Sequence, residues 1–109
     1  MLESGDVVLV VFPGAVETKK RPAVVLSSAA YHAERPDVIV GILTSRVDVA
    51  TKSTDHVLLD WEAAGLRLPS AYRCYLAMVP AKAASTILGR VTSRDWNAIR
   101  ACLRLAFGD

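Results

Sequence analysis

Positive charge and hydroxyl groups stand where two apolar, strand-like stretches of this sequence begin and end. The segment KKRPAVVLSS (residues 19–28) opens with three basic residues, and ILTSR (residues 42–46) closes with two hydroxyls and an arginine. If the two stretches pair antiparallel, Arg21 comes near Thr44 at one rim of a sheet. A guanidinium stabilises charge on a phosphorane-like transition state, and a hydroxyl adds a hydrogen bond. These residues therefore fit cleavage of an RNA phosphodiester by its own 2′-hydroxyl, a reaction that needs no metal, cofactor or catalytic histidine.

The same spacing also fits a purely structural interpretation, which spacing alone favours. Arg21 and Arg46 would then be solvated charges at strand ends, and Thr44 a β-forming residue. The net charge is only +2, which does not indicate a nucleic-acid-binding protein. Nine of the 13 basic residues are arginine, the side chain suited to bidentate phosphate contacts, but composition alone favours an ordinary arginine-rich surface.

Length and composition predict one cytoplasmic domain over residues 1–109. An apolar fraction of 52% is too high for a disordered chain and is enough for a core with a subunit interface. No apolar run reaches the roughly 18–20 residues that span a bilayer, and MLESGDVVLVVFPG lacks a basic signal-peptide region. Cys74 and Cys102 have no zinc-ligand spacing, so each is predicted to be a small buried hydrophobe.

The elements that must position these residues are mostly strands. The chain predicts strands over residues 5–13, 21–28, 37–45, 55–60 and 70–80, a helical turn over 61–65, and a short helix with a strand-like end over 81–91. Pro22 lacks an N–H group and so belongs at the start of its strand. Short loops, rather than crossover helices, separate these strands. The order predicts a mainly β protein, an antiparallel barrel-like or sandwich sheet with a helix packed on it.

The last element is predicted to be the longest helix. Thr92 suits an N-cap, with Asp95 three residues on completing a capping-box pattern, and Gly108 suits the C-terminal stop. Three- and four-residue steps predict one apolar face, formed by Trp96, Ile99, Leu103 and Ala106.

The sequence resembles the MazF/PemK family of type II toxin–antitoxin toxins, in order over nearly the whole chain. The resemblance is carried by GDVVLVVFP, KKRPAVVLSS, DVIVGILTSR, DWEAAGL, PSAYR and ILGRVTSRDWNAIRACLRLAFG, of which RPAVVLS and LTSR are the specific part. It implies an SH3-like barrel with a C-terminal helix, a homodimer, and a cognate antitoxin that blocks an RNA groove. It also implies metal-independent cleavage of single-stranded RNA, leaving a cyclic phosphate and a 5′-hydroxyl, with Arg21 and Thr44 as the catalytic residues.

Six further residues are candidates for RNA binding near this pair: Lys19, Lys20, Ser45, Arg46, Ser70 and Arg73. The chain departs from the family in its short loop over residues 14–20, and in the late fifth strand, where CYLAMV replaces a polar residue of some members. Tyr72 and Tyr75 are interpreted as barrel core or dimer interface.

Other assignments remain open at this stage. A gyrase-inhibiting toxin group shares the barrel, and a degenerate paralogue would bind only antitoxin or RNA. His32 and His56 are interpreted as surface histidines rather than general bases, and Trp61 and Trp96 as core or interface residues.

Overall fold

Six strands and two helices make up the part of the chain that the computed structural model describes, residues 1–12 and 19–108. The strands are β1 (Asp6–Val10), β2 (Arg21–Val25), β3 (Asp37–Thr44), β4 (His56–Val57), β5 (Ala71–Pro80) and β6 (Ile87–Arg90). The helices are α1 (Ala29–Glu34) and α2 (Ser93–Phe107), and short 3₁₀ turns cover Val47–Val49 and Ala81–Ala84. The loop predicted over residues 14–20 lies largely outside the described residues.

The strands form one antiparallel sheet in the order β4-β5-β3-β2-β1-β6. Alternating residues build a core on each of its two faces. The helix face carries Val7, Val24, Leu43, Leu58, Ala64, Leu66, Tyr72, Val91, Ile99 and Cys102. The opposite face carries Val8, Val10, Phe12, Ala23, Val25, Val38, Val40, Val79 and Ala84. This architecture confirms the predicted barrel-like sheet with a C-terminal helix packed on it.

The sheet curls toward the opposite face. Phe12 follows β1 and Tyr75 lies on β5, beyond β2 and β3 across the sheet, yet their ring centroids are 5.8 Å apart. Position 41 on β3 requires glycine, because the Cβ of any other residue would collide with the ring of Tyr72. Tyr72 is fully buried there, so its interpretation as core is confirmed, and burial raises the pKa of its hydroxyl.

The N-terminus of α2 differs from the predicted capping box. Thr92 occupies the N-cap position, but its hydroxyl donates to Asp60 Oδ2 at 2.6 Å instead of bonding its own helix. Asp95 is completely buried and accepts hydrogen bonds from the backbone N–H groups of Leu59 and Asp60, both at 2.9 Å. The two side chains therefore bind a segment more than 30 residues earlier in the chain, which no local pattern specifies.

The predicted face of α2 is correct at its centre and wrong at its end. Ile99 is fully buried, and Trp96 and Leu103 are partly buried against the helix-face core, whereas Ala106 is exposed. Cys102 is buried beside Ile99, as predicted for it, while Cys74 is only half-buried. Gly108 ends the helix with a φ of 75°, in the left-handed region that glycine favours.

Two smaller expectations need correction. The connection between the strands predicted over residues 21–28 and 37–45 contains helix α1, which Ser28 caps by accepting a hydrogen bond from the Tyr31 N–H at 3.2 Å. The strand predicted over residues 55–60 pairs only at His56–Val57, because Leu59 and Asp60 turn to Asp95 instead. Within the described ranges, no helix combines the length and apolar character needed to cross a membrane.

Candidate functional site

Arg21 and Thr44 lie at one rim of the sheet, where β2 begins and β3 ends. In the antiparallel β2–β3 pair, Ala23 stands opposite Ile42. Continuing that register by two residues sets Arg21 opposite Thr44. Thr44 in turn stands opposite Ala71 of β5. The structure therefore places the two residues at the same end of neighbouring strands, as the assumed strand pairing predicts.

The two residues also share a face. Arg21 alternates with Ala23 and Val25, which belong to the core of the opposite face, and Thr44 alternates with Val40 of the same core. Arg21 is exposed and Thr44 half-buried. The pair therefore stands at the mouth of the curled sheet, where it is accessible from solvent.

A local turn orients the Thr44 hydroxyl. The backbone N–H of Arg46 donates to Thr44 Oγ1 at 3.1 Å, a bond of the kind that hydroxyl residues form two positions along a turn. Because this bond uses a lone pair of the oxygen, the hydroxyl keeps its own proton for a further hydrogen bond. The Arg46 guanidinium approaches the Asp48 carboxylate at 3.6 Å with both side chains exposed, so the contact is weak and exchangeable.

The other predicted binding residues divide into two groups. Lys19, Lys20 and Ser45 are exposed and directly adjoin the pair at this rim. Arg73 is likewise exposed, on β5. Ser70 is different because it is buried and its hydroxyl donates to the Leu68 carbonyl at 2.8 Å, so its proton is used within a turn.

Two more side chains, both on β5, lie on this face beside an irregularity in the strand. The β3–β5 register shifts between Gly41 and Leu43, leaving additional residues on β5. Tyr72 and Cys74 both pack on the helix face, so Arg73 and Tyr75 point to the other one. Tyr75 is 58% exposed, which contradicts its interpretation as core and leaves its interpretation as interface untested.

Neither histidine lies at the rim. His32 is half-buried between Ser27 Oγ, at 2.6 Å from Nε2, and the Leu2 carbonyl, at 2.9 Å from Nδ1. His56 is half-buried on the helix face, with Nε2 at 2.8 Å from Asp95 Oδ1. Both histidines are half-buried and hydrogen-bonded within the protein, so their interpretation as surface histidines is wrong.

A second polar cluster, which we name the helix junction, joins β4 to the start of α2. It comprises His56, Asp60, Thr92, Arg94 and Asp95. The Asp60 carboxylate accepts from Arg94 Nε at 2.7 Å and Nη2 at 2.6 Å, and from the Thr92 hydroxyl. Hydrogen bonds from Arg94 and then Thr92 hold the pKa of Asp60 well below its usual range. Sequence reasoning missed this cluster because its contacts join residues more than 30 positions apart.

Metal-binding side chains do not cluster in residues 1–12 and 19–108: no group of three or more histidines, cysteines, aspartates or glutamates there could hold an ion.

Known structures share this fold over nearly their whole length. An endoribonuclease from a mycobacterial species, solved in complex with its cognate antitoxin, is 20% identical to this chain and superposes with a TM-score of 0.79. The match covers 99% of this chain and 96% of the endoribonuclease chain. The Mycobacterium tuberculosis toxin MazF-mt6 is 18% identical with a TM-score of 0.75, covering 95% and 96%. A MazE–MazF structure from Deinococcus radiodurans is 19% identical with a TM-score of 0.74, covering 98% and 95%.

Sequence comparison identifies the family. No curated protein matches the chain. The model of the PemK-like, MazF-like toxins of type II toxin–antitoxin systems matches residues 3–107, with the Arg21–Thr44 rim and helix α2 inside the match. The chain belongs to this family of PemK-like, MazF-like toxins.

Proposed function

We propose that this protein is the toxin of a type II toxin–antitoxin system and that it cleaves single-stranded RNA at the Arg21–Thr44 rim. The observation that carries the proposal is the β2–β3 register, which sets an exposed arginine opposite an oriented hydroxyl. In this proposal residues 1–109 form one toxin domain that acts in the cytoplasm, where cleavage of RNA stops translation and growth.

The reaction uses the substrate as its own nucleophile. The 2′-oxygen attacks the adjacent phosphorus, the bond from phosphorus to the 5′-oxygen breaks, and the products carry a 2′,3′-cyclic phosphate and a 5′-hydroxyl. The 2′-hydroxyl loses one proton and the leaving 5′-oxygen gains one, so the step balances without a co-reactant. This route uses no metal ion and no cofactor from the protein.

Each residue of the pair has a distinct part in that step. The Arg21 guanidinium stabilises the negative charge that gathers on the pentacoordinate phosphorus and assists proton transfer to the leaving oxygen. The Thr44 hydroxyl, held by the Arg46 N–H, donates to a non-bridging phosphate oxygen. Lys19, Lys20 and Arg73 are exposed cations beside the pair and hold the flanking phosphates.

The remaining candidates have smaller parts. Ser45 adjoins Thr44 and is exposed, so its hydroxyl is available to the same phosphate. Arg46 exchanges its weak contact with Asp48 for the RNA backbone. Ser70 orders the turn before β5 through its bond to Leu68 and does not itself touch RNA.

Two protein partners follow from the same proposal. A structural neighbour is described as an endoribonuclease with its cognate antitoxin, and another as MazE–MazF. We infer that this chain likewise has a cognate antitoxin, and that its toxin form is a homodimer.

The decisive experiment incubates purified protein with single-stranded RNA in EDTA and maps the cut sites and end groups. We expect cuts that leave cyclic phosphate and 5′-hydroxyl ends. Arg21→Ala should lower the rate about 10²- to 10³-fold, as loss of one charge-stabilising donor does. Arg100→Ala, an exposed arginine on α2, is the matched control and should cleave like the wild type.

Three results contradict the proposal. A folded Arg21→Ala protein that cleaves RNA normally would remove Arg21 from the chemistry. Absence of cleavage, together with capture of a topoisomerase, would instead favour a toxin that acts on a protein. Dimerisation and antitoxin binding without growth arrest would indicate a degenerate paralogue.

A further inference from the structure

Tyr75 is a large aromatic side chain in the interior of a strand, yet most of it faces solvent. It is 58% exposed, and its hydroxyl has no hydrogen-bond partner among the described residues. Neither the family assignment nor the phosphate chemistry at Arg21 and Thr44 gives this ring a role.

The Tyr75 ring packs against one buried aromatic side chain. Phe12, only 5% exposed, meets it edge-to-face, with centroids 5.8 Å apart and an interplanar angle of 81°. Such a contact restrains an aromatic side chain without covering all of it. Tyr75 therefore presents an oriented, largely open ring.

The ring also lies close to the proposed point of cleavage. Leu76 stands opposite Gly41 and Tyr72 opposite Leu43, so Tyr75 lies level with the last residues of β3 before Thr44. At about 3.3 Å per residue along a strand, it is roughly 10 Å or less from Thr44 along the sheet. It shares the face of Arg21 and Thr44.

The charge around the ring favours an anionic occupant over a second copy of this chain. Arg73 is exposed two residues before Tyr75 on the same face, and Lys19, Lys20 and Arg21 are exposed at the rim. A symmetric contact centred on Tyr75 would bring two identical sets of these cations together, which costs free energy. An RNA strand instead brings phosphates for the cations and unpaired bases for the ring.

We propose that Tyr75 is a stacking platform for a nucleobase next to the scissile phosphate of single-stranded RNA. The inference rests on the proposed RNA cleavage and adds a specificity contact to it. Stacking orders one nucleotide on the ring, while Arg73 holds its phosphate. The base so held sets the position of the neighbouring phosphate against Arg21 and Thr44.

The test measures binding of an RNA oligonucleotide that spans a mapped cut site and carries 2′-O-methyl groups to prevent cleavage. Tyr75→Ala should weaken binding roughly 5- to 140-fold, the range for loss of one base–aromatic stack. Tyr75→Phe should keep most of the affinity, because the ring and not the hydroxyl stacks. Met78→Ala is the matched control: Met78 is 56% exposed on β5, but on the other face of the sheet, and its removal should leave binding unchanged.

A double-mutant cycle then locates the base. Abasic nucleotides are placed one at a time along the oligonucleotide. One abasic position should weaken binding to the wild-type protein and cause no additional weakening in Tyr75→Ala. Equal weakening in both proteins at every position would overturn the inference, as would an oligomer that dissociates on Tyr75→Ala in light scattering.

The two proposals fail separately. If the wild type cleaves RNA and Tyr75→Ala binds and cleaves equally well, only the stacking inference falls. If the wild-type protein neither binds nor cleaves RNA, both proposals fall together.

Discussion

The helix junction and the rim each bring an arginine and a threonine together, but they use them differently. At the junction, Arg94 and Thr92 converge on a carboxylate of the chain itself, Asp60. At the rim, Arg21 and Thr44 stand opposite one another at an exposed strand end. The Arg94–Thr92 arrangement binds a carboxylate of the fold, whereas we propose that the Arg21–Thr44 arrangement binds a phosphate of the substrate.

The difference shows how position decides the use of a polar group. Asp95 is completely buried, and its two oxygens accept bonds from His56, Leu59 and Asp60. A buried polar side chain of this kind is tolerated because hydrogen bonds within the protein replace those that water would make. The Arg21 and Ser45 side chains at the rim are exposed and therefore accessible to a ligand. The junction should therefore govern stability, and the rim should govern activity.

The largest effect on stability is expected at Asp95. Asp95→Ala removes the acceptor of three hydrogen bonds and leaves His56 and two backbone N–H groups unpaired. We expect the free energy of unfolding to fall by about 3–5 kcal/mol, as for other broken buried polar pairs. Urea denaturation followed by circular dichroism measures it.

Glu62→Ala is the control for this variant. Glu62 is an exposed carboxylate close to the junction in sequence, and its removal should change stability by no more than about 0.5 kcal/mol. If Asp95→Ala unfolds at the urea concentration of the wild type, the junction does not hold α2 to the sheet.

The next largest effect concerns Thr44 and should appear in activity alone. Thr44→Val keeps the shape of the side chain but removes the hydroxyl that the Arg46 N–H orients. We expect the RNA cleavage rate to fall about 10²- to 10³-fold, with the urea midpoint almost unchanged. Thr44→Ser restores the hydroxyl and should recover most of the rate. Normal cleavage by Thr44→Val would show that the rim acts through Arg21 without it.

How much of this comparison the sequence could predict depends on the distance between contacting residues. Pro22 marks where β2 begins and LTSR marks where β3 ends, so antiparallel pairing of neighbouring strands is enough to bring Arg21 to Thr44. The start of helix α1 could also be predicted from the sequence, because Ser28 is a residue type that commonly occupies the N-cap.

The junction could not be predicted in the same way. Thr92 and Asp95 match a capping box, and that local pattern competes with partners 32 to 39 residues away. The alternation in CYLAMV gives the face of Tyr75 but not its exposure, which depends on what packs around that face in the fold. Both are products of tertiary packing.

A smaller effect is expected for the lysines that lead into the rim. Affinity for single-stranded RNA falls as salt rises, so a plot of log affinity against log salt has a negative slope. Replacing both Lys19 and Lys20 by Ala should make this slope shallower by about 0.7 for each RNA phosphate that the two lysines neutralise. Lys82→Ala, an exposed lysine in the turn after the far end of β5, should leave the slope unchanged. An unchanged slope in the double variant would make Lys19 and Lys20 solvated loop residues, as their sequence context also allows.

The smallest effect is expected for the exposed Asp60–Arg94 pair, and it should depend on pH. The pKa of Asp60 is lowered in the folded protein, first by Arg94 and then by Thr92, from about 3.9 in an unfolded chain. The pair therefore stabilises the fold fully above that value, and its contribution declines as the pH falls toward the folded pKa. Arg94→Met should lower the melting temperature by a constant amount between about pH 7 and pH 5, and by less below about pH 4. Arg100→Met, on the same helix, is the control and should give no such pH-dependent difference in melting temperature. If the melting temperature of Arg94→Met stays below that of the wild type by the same amount down to about pH 3, Asp60 draws its stabilisation from Thr92 instead.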